Sequence, residues 1–114
     1  MKTTRPISWI KAERKNFEDF PDVVQHDMLT ALTIAAEGEK SDSAKPFRGI
    51  EGGVFEIAVR YRGDTFRAIY AVKMDSDIWV IHAFQKKSKK GIKTPLMDIN
   101  IIHERLRQLK EALK

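Results

Sequence analysis

The sequence contains no cysteine, and this absence excludes disulfide bridges, thiolate metal sites and a thiol nucleophile. It also has no apolar run approaching the roughly 20 residues that a membrane-spanning helix needs. The first residues, MKTTRPISWIKAERKNF, lack the apolar core of a secretory signal peptide. Together these absences predict a cytoplasmic protein with no membrane partner.

Sequence motifs for common cofactors are missing as well. Gly49, Gly52 and Gly53 do not open a helix after a strand, so they do not form a glycine-rich phosphate loop. The three histidines are scattered without the spacing of a zinc site, and no serine stands in the strand–turn–helix context of a hydrolase nucleophile. We therefore expect neither a metal nor a cofactor.

The positive charge of the chain is concentrated in its middle. The 114 residues have a formal net charge of +5, and residues 55–95 contain nine Lys or Arg against four Asp or Glu. On either side of that stretch, positive and negative side chains are nearly balanced. A local excess of this kind indicates a polyanionic partner, because each phosphate contact releases counterions. A solvated basic surface would give the same pattern.

Apolar periodicity predicts a helical first third. A short strand at residues 7–10 and a polar helix to about residue 17 are followed by a second helix. This second helix begins at Pro21, has apolar residues every three or four positions and ends at Gly38. Residues 38–53 have the composition of a loop.

The rest of the chain is predicted to consist of strands followed by one helix. Alternating residues predict three strands, at residues 54–62, 65–74 and 78–84. Thr94-Pro95 is a cap and first-turn signal for the last helix. We expect one α+β domain over residues 1–114, with helices on one face of a small, twisted, mainly antiparallel sheet.

Gly63-Asp64 is a two-residue loop of the type that closes a hairpin, and its length sets the strand register. In this register Arg60 lies directly opposite Arg67. One face then collects apolar and aromatic residues: Phe55, Ile57, Val59, Tyr61, Phe66, Ala68, Tyr70 and Val72. The other face collects the cations Arg60, Arg62, Arg67 and Lys73. Because opposed like charges destabilise a sheet, an anion is expected there. It could be a carboxylate from another strand or from a partner chain, with Glu56 as one candidate, or a bound phosphate.

His82 is the ambiguous residue of the third strand. A three-residue turn before this strand would place His82 on the apolar core face opposite Tyr70, whereas a two-residue turn would place it among the arginines. There its ordinary pKa of about 6.5 would suit acid–base chemistry, but a lone histidine in an apolar strand is more often structural. Five lysines then extend the predicted basic face: Lys86, Lys87, Lys89, Lys90 and Lys93.

Three segments resemble the RelE/ParE toxin superfamily, and more closely its phage-derived, HigB-like branch. They are FRAIYAV, WVIHAFQKKSKKGIKTP and the terminal IIHERLRQL, and the most specific part is HAFQKKSKKGIKTP. The resemblance extends from ISWIKAERKNFEDFP through the last helix. It implies a RelE-like fold whose basic sheet face binds RNA, and a cognate helix-turn-helix antitoxin as the partner.

The resemblance also implies an activity, because RelE-like members cut mRNA in the ribosomal A site without a metal. In that reaction the 2′-hydroxyl attacks the adjacent phosphate. Arg67 then matches the catalytic arginine, Arg60 matches a catalytic lysine, and Lys86 or Lys87 lies near a further catalytic arginine. With His82 included, the predicted catalytic set is Arg67, Arg60, His82 and Lys86, and the predicted RNA-binding set is Arg62, Lys73, Lys87, Lys89, Lys90 and Lys93.

Two other functions remain open for the same fold, because a fold alone does not fix an activity. One is a ParE-like toxin that binds DNA gyrase without cutting RNA. The other is a non-enzymatic, phage-derived interaction module. A small helix-turn-helix gene beside this one would support either toxin function.

Overall fold

Alternation of apolar and polar residues builds the centre of the molecule, a five-stranded sheet. The computed structural model describes residues 4–86 and 94–113. In chain order the elements are β1 (Ile7–Trp9), α1 (Lys11–Glu18), α2 (Asp22–Ala36), β2 (Ala44–Pro46), β3 (Val54–Tyr61), β4 (Asp64–Ala71), β5 (Ile78–Lys86) and α3 (Leu96–Ala112). The sheet order is β1-β5-β4-β3-β2, with β1 parallel to β5 and the other neighbours antiparallel. The predicted α+β class is confirmed, and β2 lies within the stretch predicted to be a loop.

The first two helices form where the sequence predicts them. Helix α2 starts after Pro21 with Asp22 in its first turn, where a carboxylate interacts favourably with the helix dipole. Its apolar stripe includes the fully buried Val24, Met28 and Leu32, which belong to the core on one face of the sheet. Within the described part of the chain, no helix is long and apolar enough to cross a membrane.

Helix α3 packs on the opposite face of the sheet, so the prediction that all helices share one face is wrong. There Ile102, Leu106 and Leu109 form a second core with residues of the sheet. The physical reason lies in β4, where Ile69 and Ala71 are fully buried although they alternate with the residues of the first core. A strand that is apolar on both sides needs a covering layer on both sides, and α3 is the second layer.

The β3–β4 hairpin turns at Arg62-Gly63, one residue earlier than the predicted Gly63-Asp64 loop. Both turn residues have positive φ, 51° for Arg62 and 85° for Gly63, as a type I′ hairpin turn requires. Tyr61 therefore pairs with Asp64. Asp64 begins β4, where its carboxylate accepts a hydrogen bond from Gln85 at 2.8 Å.

The earlier turn changes the partner of Arg67. Arg67 pairs with Ala58, and Arg60 pairs with Thr65, so the predicted opposition of Arg60 and Arg67 is wrong. Each partner has moved by two residues, and side chains alternate between faces with a period of two. The side chains of both strands therefore keep their predicted faces.

A β-bulge in β5 decides the side on which His82 lies. Tyr70 pairs with Val80 and Ile69 with His82, so Ile81 is the extra residue in β5. The bulge keeps Val80 in the first core and turns His82 to the α3 face, which it shares with Arg67. His82 therefore lies on the face that the predicted two-residue turn would give, but neither predicted turn forms, since β4 ends at Ala71 and β5 begins at Ile78.

Candidate functional site

Three predicted catalytic cations occupy neighbouring positions on the α3 face, at the end of the sheet where β3 turns into β4. Arg60 pairs with Thr65, and Thr65 pairs with Lys86, so these positions form one row across the sheet. Arg67 belongs to the next row and is diagonal to both Arg60 and Lys86. Diagonal neighbours lie about 7–8 Å apart, within reach of long side chains. We call Arg60, Arg67 and Lys86 the cation corner.

A buried carboxylate holds Arg67. Nη1 of Arg67 donates a hydrogen bond to Oε1 of Glu56 at 2.6 Å, and the two side chains are 8% and 3% exposed. Glu56 also accepts a hydrogen bond at 3.0 Å from the hydroxyl of Thr94, which precedes α3. On β2, Nζ of Lys45 lies 3.9 Å from Oε1 of Glu56. Glu56 therefore supplies negative charge to the predicted basic face from within the protein.

The Glu56–Arg67 pair forms part of the wall of a cleft of about 460 Å³. The cleft lies between the start of α3, strands β3 and β4, and the segment that contains β2. Among the described residues, its lining consists of Lys45, Pro46, Phe47, Arg48, Glu56, Arg67, Thr94 and Ile99. Lys45 and Arg48 are exposed, so the cleft presents positive charge to an anionic ligand.

The sequence did not identify the cleft residues that lie in the segment before β3. Lys45, Phe47 and Arg48 fall in the stretch predicted to be a loop. The available signal was the sequence KPFR, in which two cations flank an aromatic ring. Thr94 is not the helix cap that the sequence predicts, because α3 begins after Pro95 without a side-chain cap. The Thr94 hydroxyl bonds to Glu56 instead.

His82 lies in a second, closed group of charges. Its Nδ1 is 2.8 Å from Oε1 of Glu13 on α1, and its Nε2 is 2.8 Å from Oδ1 of Asp98 on α3. Glu13 is itself buried and accepts hydrogen bonds from the backbone N–H of Ala83 and from the guanidinium of Arg105. We call Glu13, His82, Asp98 and Arg105 the histidine network. It joins α1, β5 and α3 across the interior.

The surroundings of His82 favour its charged form. Burial alone would lower the pKa of His82, but hydrogen bonds and charge interactions with Glu13 and Asp98 outweigh burial and raise the pKa above 6.5. Burial would likewise raise the pKa of Glu13, yet its bonds to His82 and Ala83 and the nearby charge of Arg105 hold the pKa below 4.5. Two carboxylates thus face two cations, which is the arrangement a buried charge needs.

The predicted RNA-binding residues are spread over the molecule. Arg62 lies in the β3–β4 turn beside the cation corner, with its guanidinium 5.2 Å from the centre of the Tyr61 ring. Lys73 lies beyond the other end of the hairpin, where its side chain packs against Gly53. Lys87, Lys89, Lys90 and Lys93 fall outside the described residues. Within residues 4–86 and 94–113, no group of three His, Asp or Glu side chains is arranged to hold a metal ion.

The chain matches a known family model. The sequence matches the family model described as Phage derived protein Gp49-like (DUF891) over residues 15–107. The matched range contains β2 to β5 and all described residues that line the cleft. No curated protein sequence matches the chain.

The fold is similar to solved structures of RelE toxins. A mutant of the E. coli toxin RelE in the free state superposes with a TM-score of 0.62 at 13% identity, covering 92% of this chain and 97% of that one. The isolated E. coli RelE toxin gives a TM-score of 0.58 at 16% identity, with 92% and 98% covered. The toxin–antitoxin complex RelBE2 from Mycobacterium tuberculosis gives 0.51 at 13% identity, with 78% and 98% covered. The predicted RelE-like fold is confirmed, and the family match confirms the predicted phage-derived origin.

Proposed function

Because the chain belongs to the Gp49-like family of phage-derived proteins and has a RelE-like fold, we propose that it is the toxin of a type II toxin–antitoxin system. We propose further that its activity is cleavage of mRNA on the ribosome, in the cytoplasm and without a metal ion. A fold supports such an assignment but does not decide it. The activity therefore has to be assigned from the side chains of the α3 face.

The observation that carries the proposal is the convergence of cations at one end of that face. Arg60, Arg67 and Lys86 share the cation corner, and Lys45 and Arg48 line the adjoining cleft. Positive groups on several strands form a surface that matches the regularly spaced phosphates of RNA, since phosphate contacts dominate such binding. The position of Arg62 in the adjoining turn extends the same surface.

In the proposed reaction, the 2′-hydroxyl of one nucleotide attacks the adjacent phosphorus. The bond to the 5′-oxygen breaks and a 2′,3′-cyclic phosphate forms. Negative charge develops on the phosphate oxygens during this step, and guanidinium groups stabilise it well because their donors are planar and permanently charged. Arg67 suits this role because Glu56 fixes its guanidinium at the cleft wall, while Arg60 and Lys86 bind the flanking phosphates.

His82 has a different role in this scheme. Both of its ring nitrogens are occupied by carboxylates, so we assign it the positioning of α3 rather than proton exchange with RNA. Water then accepts the proton of the 2′-hydroxyl and protonates the leaving 5′-oxygen. Asp98 lies in the first turn of α3, close in sequence to Thr94 and Ile99 of the cleft.

We propose a helix-turn-helix antitoxin as the partner that neutralises the protein. The RelBE2 structure is that of a toxin–antitoxin complex, and its toxin fold supports a partner of the same kind here. An antitoxin that covers the cation corner would carry acidic side chains, because the exposed Arg60 and Arg62 have to be neutralised.

Induced expression in a bacterial host, with primer extension on its mRNAs, tests this function. The wild-type chain is expected to stop growth and to produce new 5′ ends inside translated codons. An Arg67→Gln variant expressed to the same level should do neither. Growth arrest without new 5′ ends would contradict the nuclease and favour a gyrase-binding toxin. Normal growth with folded wild-type protein present would contradict the toxin as a whole and favour an interaction module.

A further inference from the structure

The segment after β2 places an aromatic ring in the cleft. Phe47 is half-buried, lines the cleft and packs at the edge of the second core. Its backbone N–H donates a hydrogen bond to the carbonyl oxygen of Val54 at 2.9 Å, which ties this position to the start of β3. On the α3 side the cleft is lined by Ile99, also half-buried. The ring is therefore anchored to the sheet beside an apolar neighbour.

The charged groups of the cleft surround this apolar part. Lys45 and Arg48 are close to Phe47 in the chain and both are exposed. Arg67 lies deeper, paired with Glu56. An anion alone would not need the aromatic ring, and an apolar ligand would not need the cations. A nucleotide combines a flat base with a charged phosphate and so matches both features.

We propose that this cleft is a nucleotide subsite in which the Phe47 ring stacks on one base of single-stranded RNA while Lys45 and Arg48 bind the phosphates beside it. The cleft volume of about 460 Å³ lies within the range of about 300–1,000 Å³ that is usual for ligand pockets. This inference rests on the proposed function, since it names how the same surface holds its substrate. Because every base has a flat face, the subsite supplies affinity without reading one particular sequence.

A binding titration tests the subsite with the full chain and a fluorescently labelled hexanucleotide RNA. Every 2′-hydroxyl of the RNA is methylated, so that binding is measured without cleavage. Phe47→Leu keeps an apolar side chain but removes the ring, and it is expected to weaken binding about tenfold. Phe47→Trp is expected to bind at least as tightly as the wild type. If Phe47→Leu does not fold, Phe47→Trp still tests the subsite. Stacking of the new indole ring on a base should quench its fluorescence when RNA binds, and unchanged fluorescence on binding would contradict the subsite.

The matched control is Phe55→Leu. Phe55 is also half-buried and lies opposite Pro46 in the β2–β3 pair, but its ring stacks on Tyr70 in the first core, on the other face. Its replacement should leave RNA binding unchanged. In a second control, Lys45→Ala with Arg48→Ala should reduce the slope of log affinity against log salt by about 0.7 for each phosphate that the variant no longer neutralises.

The outcomes separate the subsite from the function on which it rests. Unchanged RNA affinity in a folded Phe47→Leu variant, with salt-dependent binding by the wild type, overturns the subsite and leaves the proposed function standing. Equal losses in Phe47→Leu and Phe55→Leu would also overturn it, because the effect would then come from stability. Absence of RNA binding by the wild type at low salt would overturn the subsite together with the nuclease.

Discussion

Glu56 and His82 belong to one row across the sheet and Arg67 belongs to the next row, yet the surroundings of the Glu56–Arg67 pair and of the histidine network differ. The pair forms the wall of an open cleft, next to further cations. The network is enclosed between α1, β5 and α3, and both ring nitrogens of His82 are occupied. We propose that these similar charged groups serve two purposes: the pair at the cleft wall presents a guanidinium to RNA, and the histidine network holds α1, β5 and α3 together.

A change in the histidine network should have the greatest effect on stability. His82→Gln should lower the free energy of unfolding by about 3–5 kcal/mol, because Glu13 and Asp98 lose the cation between them in a buried place. Urea denaturation, monitored by circular dichroism, measures this change. His103→Gln is the matched control, since His103 is exposed on α3 and should change little. A variant with unchanged stability but no toxicity would show that His82 takes part in the chemistry.

The Glu56–Arg67 pair should respond differently to single and double changes. Arg67→Gln alone is expected to cost about 2–3 kcal/mol of stability. This is less than the roughly 3–5 kcal/mol for a buried charge left without compensation, because Glu56 keeps Thr94 and the more distant Lys45 as neighbours among the described residues. Adding Glu56→Gln should restore most of that loss, since the remaining charge is removed. A double-mutant cycle from urea denaturation measures the coupling. Strictly additive losses would contradict a direct pair.

Much of this arrangement follows from the sequence, and the rest depends on tertiary contacts. Periodicity predicts α2 and the three long strands, and the faces of β3 and β4 survive the error in register because the error is two residues. The bulge at Ile81 was not predictable, since it depends on how β5 pairs with β4. The bond between Glu13 and His82 joins residues that are 69 positions apart, so the local sequence around either residue does not predict it.

The three-residue β2 was hidden for a related reason. It is a short strand at the edge of the described sheet, inside a stretch rich in glycine, serine and proline, and it pairs with β3. The cleft residues Phe47 and Arg48 follow it and become visible only when the sheet is assembled. The sequence predicts that the cations of the cation corner share one face, but it does not predict their strand pairing.

The histidine network should also make the stability of the protein depend on pH. Because the folded-state pKa of His82 is raised above 6.5, the stability from this group is fully present below that pH and is lost as pH rises through the folded-state pKa. Because the folded-state pKa of Glu13 lies below 4.5, its contribution is present above pH 4.5 and is lost as pH falls through the folded-state pKa. Melting temperatures of the wild type should therefore decline on both sides of this window.

The alkaline decline should be weaker in His82→Gln than in the wild type. Arg67→Gln is the control here, and it should keep the wild-type alkaline decline because it leaves the histidine network intact. Parallel curves for the wild type and His82→Gln would contradict a charged His82 in the folded state.

The smallest expected effect concerns the link between α3 and the cleft. Thr94→Val removes the hydroxyl that donates to Glu56 at 3.0 Å and should cost about 1.5 kcal/mol, the lower end of the range for a hydrogen bond to a charged group. Thr94→Ser should retain most of the stability. Equal losses in both variants, measured by thermal denaturation, would assign the effect to packing of the methyl group rather than to the bond.

Cleavage of ribosome-bound mRNA by purified variants separates a role of the Glu56–Arg67 pair in the reaction from a structural role of His82. The Arg67→Gln/Glu56→Gln variant and His82→Gln are compared with the wild type at a temperature where all three are folded. We expect the double variant to lose about 10²–10³-fold in rate, the usual cost of removing a group that stabilises transition-state charge, while His82→Gln keeps the wild-type rate per folded molecule. Wild-type cleavage by the double variant would contradict a catalytic role of Arg67. Loss of cleavage in folded His82→Gln would contradict a purely structural role of the histidine network.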